Sequence, residues 1–259
     1  MIDLHCHVLP GVDDGPATPE VAIELVRAAQ ADGITAIAAT PHIDGLHRPL
    51  SSGQIRAAVR ALQTRLHAAR VEVQITTGAE LALTRAVALD DAELAALSLG
   101  RGGWLLLECP LSHTATPGFT TAARVLARRG HQLLLAHPER CPLFVRSPHE
   151  LEDLLDEGML AQVTARALNG GFGRTARDLA RYLVDRGMAH VVASDGHGPG
   201  RPAKLAAPLA RTSLAPSLID WLTREVPAAL LAGAELPPRP RGIDTEPARR
   251  RRLARLVGR

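Results

Sequence analysis

Two histidines one residue apart, His5 and His7, end the first apolar segment of the chain. Successive side chains of a β-strand point to opposite faces, so both imidazoles share a face and Cys6 points to the other. A histidine or an acidic residue follows nearly every later apolar segment: His42, Glu80, Glu108, His137, Asp195 and His197. Imidazoles and carboxylates delivered to one place are the ligands that a cluster of divalent metals needs.

The elements that must position these residues alternate along the chain. Apolar composition predicts seven strands: Ile2–His7, Ile34–Thr40, Val71–Gly78, Trp104–Cys109, Gln132–His137, Ala161–Thr164 and His190–Ser194. Helical spacing predicts six helices between them: Pro19–Ala31, Gln54–Ala69, Asp91–Leu97, Thr120–Arg129, Pro148–Glu157 and Arg174–Arg186. Such alternation indicates an α/β fold with a parallel sheet and right-handed crossovers. The candidate ligands follow the C-terminal ends of the strands, where barrel enzymes place their sites.

The composition restricts the class of protein. A chain of 259 residues with 46% hydrophobic and 22% charged residues is typical of a globular protein, and one α/β barrel accounts for its length. Aromatic residues make up only 2%, which disfavours a surface that stacks nucleic-acid bases. No apolar run reaches the roughly 20 residues that span a bilayer, and the N-terminus lacks a signal-peptide pattern. We therefore expect a cytoplasmic protein that does not bind nucleic acid.

The three cysteines, Cys6, Cys109 and Cys141, show no paired spacing, which indicates free thiols in a reducing compartment. A cysteine-dependent tyrosine phosphatase requires an arginine six positions after its nucleophile. The residues at that distance are Val12, Ala115 and Ser147. The mechanism of that class of enzyme is therefore excluded.

The end of the chain is strongly basic. From Arg239 onward, eight arginines and only two acidic residues give a charge of +6, whereas the whole chain carries +3. We divide the chain into a globular domain of residues 1–235 and a Pro- and Arg-rich tail of residues 236–259. The tail is either a solvated chain end or a contact for an anionic partner such as membrane headgroups.

Seven short motifs resemble those of the PHP (polymerase and histidinol phosphatase) superfamily. They are Met1–His7, Val12–Gly15, Thr40–His42, Gly78–Glu80, Leu107–Pro110, His137–Arg140 and Ala193–His197. Their order is most similar to that of the bacterial manganese-dependent protein-tyrosine phosphatases of capsule and exopolysaccharide loci. The resemblance extends from residue 1 to about residue 210.

This resemblance implies a distorted (β/α)7 barrel with three metals at the C-terminal ends of its strands. By position, His5, His7, Glu80 and Asp195 hold the first metal, and Glu80 bridges to a second that Glu108 and His137 complete. Asp14, His42 and His197 hold the third, with the neighbouring Asp13 as an alternative to Asp14. The resemblance implies Mn²⁺, although the same nitrogen and oxygen donors also suit Fe or Zn.

Two arginines are candidates for catalytic phosphate binding. Arg140 lies three residues after His137, and a planar guanidinium binds two phosphate oxygens at once. The resembling phosphatases carry a second phosphate-binding arginine in the loop after the last ligand, usually one residue further along, which indicates Arg201 here. Water activated between two metals would then attack phosphorus in line with the leaving oxygen.

The resemblance implies a phosphotyrosine protein as substrate, such as a bacterial tyrosine kinase that controls polysaccharide export. A small-molecule phosphatase, for example one acting on histidinol phosphate, would share the same metal site. A non-catalytic metal-binding module of the superfamily is a third alternative, which the presence of all nine ligands disfavours. A nuclease is the fourth, and the acidic body of the chain disfavours it.

Overall fold

The computed structural model describes residues 1–47 and 49–240. Nine short strands lie within these residues: β1 Ile2–Cys6, β2 Ala36–Ala39, β3 His42–Ile43, β4 Gln74–Thr77, β5 Glu80–Leu81, β6 Trp104–Glu108, β7 Gln132–Ala136, β8 Leu160–Thr164 and β9 Val191–Ala193. All pairings between these strands are parallel. The expectation of an α/β fold with parallel strands is thus confirmed.

The second and third predicted strands are wrong in their bounds, because each is shorter than predicted and a second short strand follows it. Pro41 lies between β2 and β3, and proline has no N–H to donate to a strand ladder. Gly78 lies between β4 and β5, where an added Cβ would be 2.8 Å from Leu99 Cδ2. After these interruptions His42 and Glu80 are direct register partners on β3 and β5. The breaks therefore bring two candidate ligands side by side.

The strands form two sheets, with the orders β1-β2-β4 and β3-β5-β6-β7-β8-β9. The end of β9 lies against the end of β1. The Asp195 N–H donates to the His5 carbonyl over 2.9 Å, and the His7 N–H donates to the Gly196 carbonyl over 2.8 Å. These bonds bring the first and last candidate ligands of the sequence to the same place.

Eleven α-helices lie within the described residues: α1 Pro19–Ala31, α2 Ser52–Ala68, α3 Leu83–Ala86, α4 Asp91–Ala96, α5 Phe119–Arg128, α6 Pro142–Arg146, α7 Pro148–Asp156, α8 Gly173–Asp185, α9 Ala206–Leu209, α10 Pro216–Asp220 and α11 Val226–Ala232. The six predicted helices correspond to α1, α2, α4, α5, α7 and α8, within two residues at each end. The other five have seven residues or fewer, which is too short for a periodic pattern to stand out.

The core consists mainly of aliphatic side chains. The apolar runs Leu105–Leu107 and Leu133–Leu135 are fully buried, as expected of parallel strands that helices cover on both faces. Burying each such leucine contributes about 1.5–3 kcal/mol. This core holds the strand ends, and with them the candidate ligands, in fixed positions.

The start of the predicted tail contacts the body. Trp221 Nε1 donates to the Pro237 carbonyl over 3.0 Å, and the Arg239 guanidinium donates to the carbonyls of Val184 and Ala189 over 2.8 and 2.9 Å. Residues 241–259, which include most of the basic tail, lie outside the described residues. The division at residue 235 stays a prediction.

Among the described helices, none combines the length and the apolar character needed to cross a bilayer.

Candidate metal centre

Five of the candidate ligands lie at or just after the carboxyl ends of strands. His5 lies in β1 and His7 follows it, Glu108 is the last residue of β6, and His137 and Asp195 come after β7 and β9. His137 and Asp195 have φ values of 38° and 53°, and they are two of the three described non-glycine residues with positive φ. Such backbone geometry costs about 1–3 kcal/mol and is concentrated at functional sites.

Glu80 is the centre of the cluster, and its side chain is 1% exposed. Three imidazoles contact its Oε2 atom: His5 Nε2 at 3.3 Å, His7 Nε2 at 3.2 Å and His42 Nδ1 at 3.2 Å. Its Oε1 atom is 2.8 Å from His137 Nε2. One carboxylate among four imidazoles can bridge two metals.

Asp14 forms a second part of the cluster, at its more exposed side. Its Oδ1 atom lies 3.6 Å from His42 Nε2 and 3.3 Å from His197 Nε2. His7, Asp14, His42 and His197 each offer a ligand atom within 4.8 Å of the others. This grouping adds His7 to the three residues expected for the third metal.

Two other groups meet the same distance limit: His5 with His7 and Glu80, and His42 with Glu80 and Glu108. The first agrees with three of the four ligands expected for the first metal. Asp195 Oδ1 is 3.6 Å from His5 Nε2 and 3.7 Å from His7 Nε2, so it also lies at this position. The nine candidate residues therefore surround one common centre, although His42 lies between two of the groups.

Asp13 has a different position from Asp14. Its Oδ2 atom accepts a hydrogen bond from His7 Nδ1 over 2.8 Å and one from the His42 N–H over 3.1 Å. With a proton on Nδ1, His7 directs the Nε2 lone pair toward the cluster. Gly15 closes this turn, because a Cβ there would be 2.3 Å from the His7 carbonyl oxygen. The geometry favours Asp14 as the ligand and Asp13 as the residue that orients His7.

Gln162 orients the other histidine of the first strand, and the sequence analysis missed it. Its Oε1 atom is 2.8 Å from His5 Nδ1, and the residue is fully buried in β8. In the tautomer that donates Nδ1–H to this oxygen, the Nε2 atom of His5 faces Glu80 with its lone pair. A polar residue in the middle of an apolar strand was the signal that would have identified it.

The charges of the cluster match a bound cation. Burial, together with the nearby Glu80 carboxylate, raises the pKa of Glu108 to about 8. Burial also disfavours the charged form of Glu80, but His5, His137 and His7 hold the pKa of Glu80 well below its usual range. Two neighbouring buried carboxylates repel each other when both are ionised, and a divalent cation between them removes that repulsion.

The histidines differ in their readiness to bind a metal. Burial lowers the pKa of His42 and His137, and burial with the nearby His7 lowers that of His197 to about 4, so these rings are neutral at pH 7. Burial disfavours a charge on His7 as well, yet its hydrogen bonds to Asp13 and Glu80 raise its pKa to about 10. A metal at His7 must therefore displace a proton, which makes metal binding dependent on pH.

Both candidate arginines reach the edge of the cluster. Arg140 NH1 is 2.7 Å from Asp195 Oδ2, and Arg201 NH2 donates to the same oxygen. The Arg140 guanidinium also lies over the ring of Phe172, with its central carbon 4.3 Å from the ring centre. Two guanidinium groups that converge beside the candidate ligands have the donors that an oxyanion requires.

We expect the Asp13→Asn variant to bind divalent metal about tenfold to a hundredfold more weakly than the native protein. An asparagine amide replaces one carboxylate acceptor with a donor, so His7 Nδ1 and the His42 N–H no longer share a negatively charged partner. Competition with a chromophoric chelator measures the affinity. The Asp91→Asn variant is the matched control, because Asp91 contacts His131 over 2.8 Å at the surface. Equal affinity of the two variants would contradict the orienting role.

Comparison with known proteins gives a consistent assignment. The family model described as capsular polysaccharide synthesis, CpsB/CapC, matches residues 1–211. The tyrosine-protein phosphatase YwqE of Bacillus subtilis is 33% identical over 198 residues, which is 76% of this chain and 77% of YwqE. CapC of Staphylococcus aureus is 32% identical over 202 residues, which is 76% of this chain and 77% of CapC.

A solved structure agrees with these sequence relationships. It comes from a study of YwqE from Bacillus subtilis and CpsB from Streptococcus pneumoniae, described as unique metal-dependent tyrosine phosphatases. The superposition has a TM-score of 0.79 at 27% identity and covers 93% of this chain and 100% of that one. The resemblance expected from the motifs is confirmed, and the chain belongs to the CpsB/CapC family of capsular polysaccharide synthesis proteins.

Proposed function

We propose that this protein is a metal-dependent tyrosine phosphatase that hydrolyses phosphotyrosine in proteins. The observation that carries the proposal is the convergence of Arg140 and Arg201 on Asp195, at the edge of a cluster of histidines and carboxylates. A phosphate ester needs cations around its three equatorial oxygens and an activated water opposite its leaving oxygen. The arginines would supply the cations around the equatorial oxygens, and metals held by the cluster would activate the water.

The metal ligands in this proposal are His5, His7, Asp14, His42, Glu80, Glu108, His137, Asp195 and His197. The three close groups of donors support up to three divalent cations. Mn²⁺ is the metal we propose, with Fe and Zn as alternatives, because the donors are imidazoles and carboxylates with no thiolate among them. Divalent cations at such a site lower the pKa of water and withdraw charge from phosphoryl oxygens.

The chain itself positions the ester. Arg140 and Arg201 are 16% and 29% exposed, so their guanidinium groups are reachable from solvent while their stems are fixed. Because Phe172 packs under Arg140, the guanidinium plane is held in one orientation. Two planar groups that bind the equatorial oxygens would align the leaving oxygen away from the cluster. Phenolate leaves without a strong general acid because the pKa of tyrosine is near 10.

An apolar wall beside Arg140 supports an aryl substrate. A cavity of about 450 Å³ is lined by Leu111, Val145 and Phe172 together with Arg140. Leu111 is 46% exposed, although it is a large apolar side chain. A phenyl ring whose phosphate contacts Arg140 would cover these side chains and exclude water from them. Phosphoserine has no ring to do so.

The finer features of the proposal concern the fold, the partner and the location. We infer that the strands close into one distorted (β/α)7 barrel, supported by the bonds between the ends of β1 and β9. The proposed substrate is a bacterial tyrosine kinase of polysaccharide synthesis, supported by the capsule family to which the chain belongs. We place the protein in the cytoplasm, since its three cysteines are free and buried. Contact of residues 241–259 with a membrane surface stays a prediction.

The test compares substrates with metal-stripped protein to which Mn²⁺ is returned. We expect turnover of a phosphotyrosine peptide at least about a hundredfold faster, in kcat/KM, than of the matched phosphoserine peptide or of histidinol phosphate. Without metal the turnover should vanish. Preference for histidinol phosphate would make the protein a small-molecule phosphatase, and equal rates on all esters would contradict the aryl preference. Bound metal with no turnover of any ester would indicate a binding module.

A further inference from the structure

A second cavity lies beside the candidate metal centre, and most of the residues that line it have no role in the proposed reaction. Its volume is about 460 Å³, and Asp195 and Arg201 form part of its wall. It therefore opens next to the position proposed for the phosphate. Phe172 lines both this cavity and the cavity beside Arg140, so its ring lies between the two cavities.

The wall of this cavity is strongly cationic. Arg166, Arg201, Lys204 and Arg211 line it, whereas Asp195 is the single acidic residue among its described lining residues. Asp195 already contacts both Arg140 and Arg201. Within residues 1–47 and 49–240, the side chains of Lys204 and Arg211 have no carboxylate partner. Their charges are therefore available to an anion from outside the chain.

Lys204 is the only lysine among the 30 lysine and arginine residues of the chain. Its ammonium group presents three donors on a flexible stem, so it can turn toward an anion in the cavity. Its side chain is exposed, while the residues on either side of it, Ala203 and Leu205, are buried. The backbone thus fixes where the ammonium group can reach.

Hydrogen bonds fix the walls of the cavity. The Asp32 carboxylate accepts from the N–H groups of Leu205, Ala206 and Ala207, directly after Lys204, over 2.6, 2.7 and 3.1 Å. Arg166 NH1 donates to the Gly200 carbonyl over 3.0 Å, which ties the segment after β8 to the loop that carries Arg201. A site whose walls are held in this way does not have to be ordered by its ligand.

We propose that this cavity binds an anionic side chain of the substrate that lies close in sequence to the phosphotyrosine. The inference rests on the proposed function, because it places the phosphotyrosine phosphate between Arg140 and Arg201. Each residue of an extended peptide spans about 3.3–3.6 Å, so a neighbouring side chain reaches past Arg201 into the cavity. A carboxylate and a second phosphate both satisfy this chemistry, since both accept bidentate bonds from guanidinium groups.

The test uses the full chain loaded with Mn²⁺ and phosphotyrosine peptides that differ only at the two residues on each side of the phosphotyrosine. One peptide carries glutamate at these positions, a second carries glutamine, and a third carries a second phosphorylated residue at one of them. We expect kcat/KM to be at least about tenfold higher for the glutamate peptide than for the glutamine peptide, because charge-assisted hydrogen bonds form. A higher rate for the doubly phosphorylated peptide than for the glutamate peptide would identify phosphate as the preferred anion.

Variants of the cavity wall locate the effect. In the Lys204→Gln/Arg211→Gln variant, we expect the ratio of kcat/KM for the glutamate peptide to kcat/KM for the glutamine peptide to fall to about 2 or less. The fall should come from a higher KM for the glutamate peptide. The Lys204→Arg variant should keep the ratio, because it keeps the charge. The Arg56→Gln/Arg60→Gln variant on the exposed face of α2 is the matched control, because it also removes two surface charges.

The outcomes separate this inference from the proposed function. If the native protein hydrolyses the glutamine and glutamate peptides equally well, the cavity does not bind an anionic side chain of the substrate. The inference is then wrong, while the phosphatase assignment stands. A preference that survives in the double variant overturns the inference in the same way. If no phosphotyrosine peptide is hydrolysed, both the proposed function and the inference are overturned.

Discussion

The Glu80→Gln variant is expected to lose at least about a thousandfold in kcat/KM for a phosphotyrosine peptide, equivalent to about 4 kcal/mol of transition-state stabilisation. Among residues 1–47 and 49–240, Glu80 is the one carboxylate that contacts His5, His7, His42 and His137 together. Glutamine keeps the volume of this side chain but removes its negative charge, and its amide NH₂ group would face imidazole nitrogens or metal. The variant therefore removes the bridge around which the cluster is arranged.

Metal content decides whether the loss has this cause. Measured by elemental analysis after dialysis, the Glu80→Gln variant should retain fewer metal ions per chain than the native protein. Glu93→Gln is the control, because the Glu93 carboxylate accepts from the Ser52 N–H and hydroxyl over 2.7 and 3.0 Å, away from the cluster. Native metal content combined with native activity in the Glu80→Gln variant would remove Glu80 from the centre.

The sequence predicts the strand ends well because two independent patterns agree there. Apolar runs mark the strands, and a histidine or an acidic residue after nearly every run marks its carboxyl end. The runs Leu105–Leu107 and Leu133–Leu135 are buried on both faces, so their pattern is unambiguous. The interruptions at Pro41 and Gly78 were harder to predict, because a local pattern does not reveal that a second short strand resumes beyond them.

Within the candidate site, the ligand types are readable from the sequence but the contacts between them are not. The distinction between Asp13 and Asp14 depends on a turn that Gly15 allows against the His7 carbonyl. The contact of Gln162 with His5 joins residues 157 positions apart. The packing of Phe172 under Arg140 likewise joins the residue before α8 to the turn after β7. Such contacts arise from tertiary packing, which local periodicity does not encode.

The Arg140→Lys variant is the second change with a large expected effect. We expect kcat/KM for a phosphotyrosine peptide to fall by about a hundredfold to a thousandfold. A guanidinium group can contact Asp195 through one nitrogen, present its other donors to phosphate and stack on Phe172 at the same time. An ammonium group is a single point of charge and cannot keep these three contacts, although the net charge of the chain is unchanged.

The control for Arg140→Lys is Arg124→Lys, which alters a surface ion pair with Glu157 at 2.8 Å and should leave the rate within about twofold. Inorganic phosphate should inhibit the Arg140→Lys variant more weakly than the native protein, because the phosphate has lost one of its two planar partners. Metal content distinguishes a phosphate-binding role from a merely structural one. If the variant loses metal together with activity, Arg140 acts by holding Asp195 in place, whereas native metal content with weaker phosphate inhibition assigns it to the substrate.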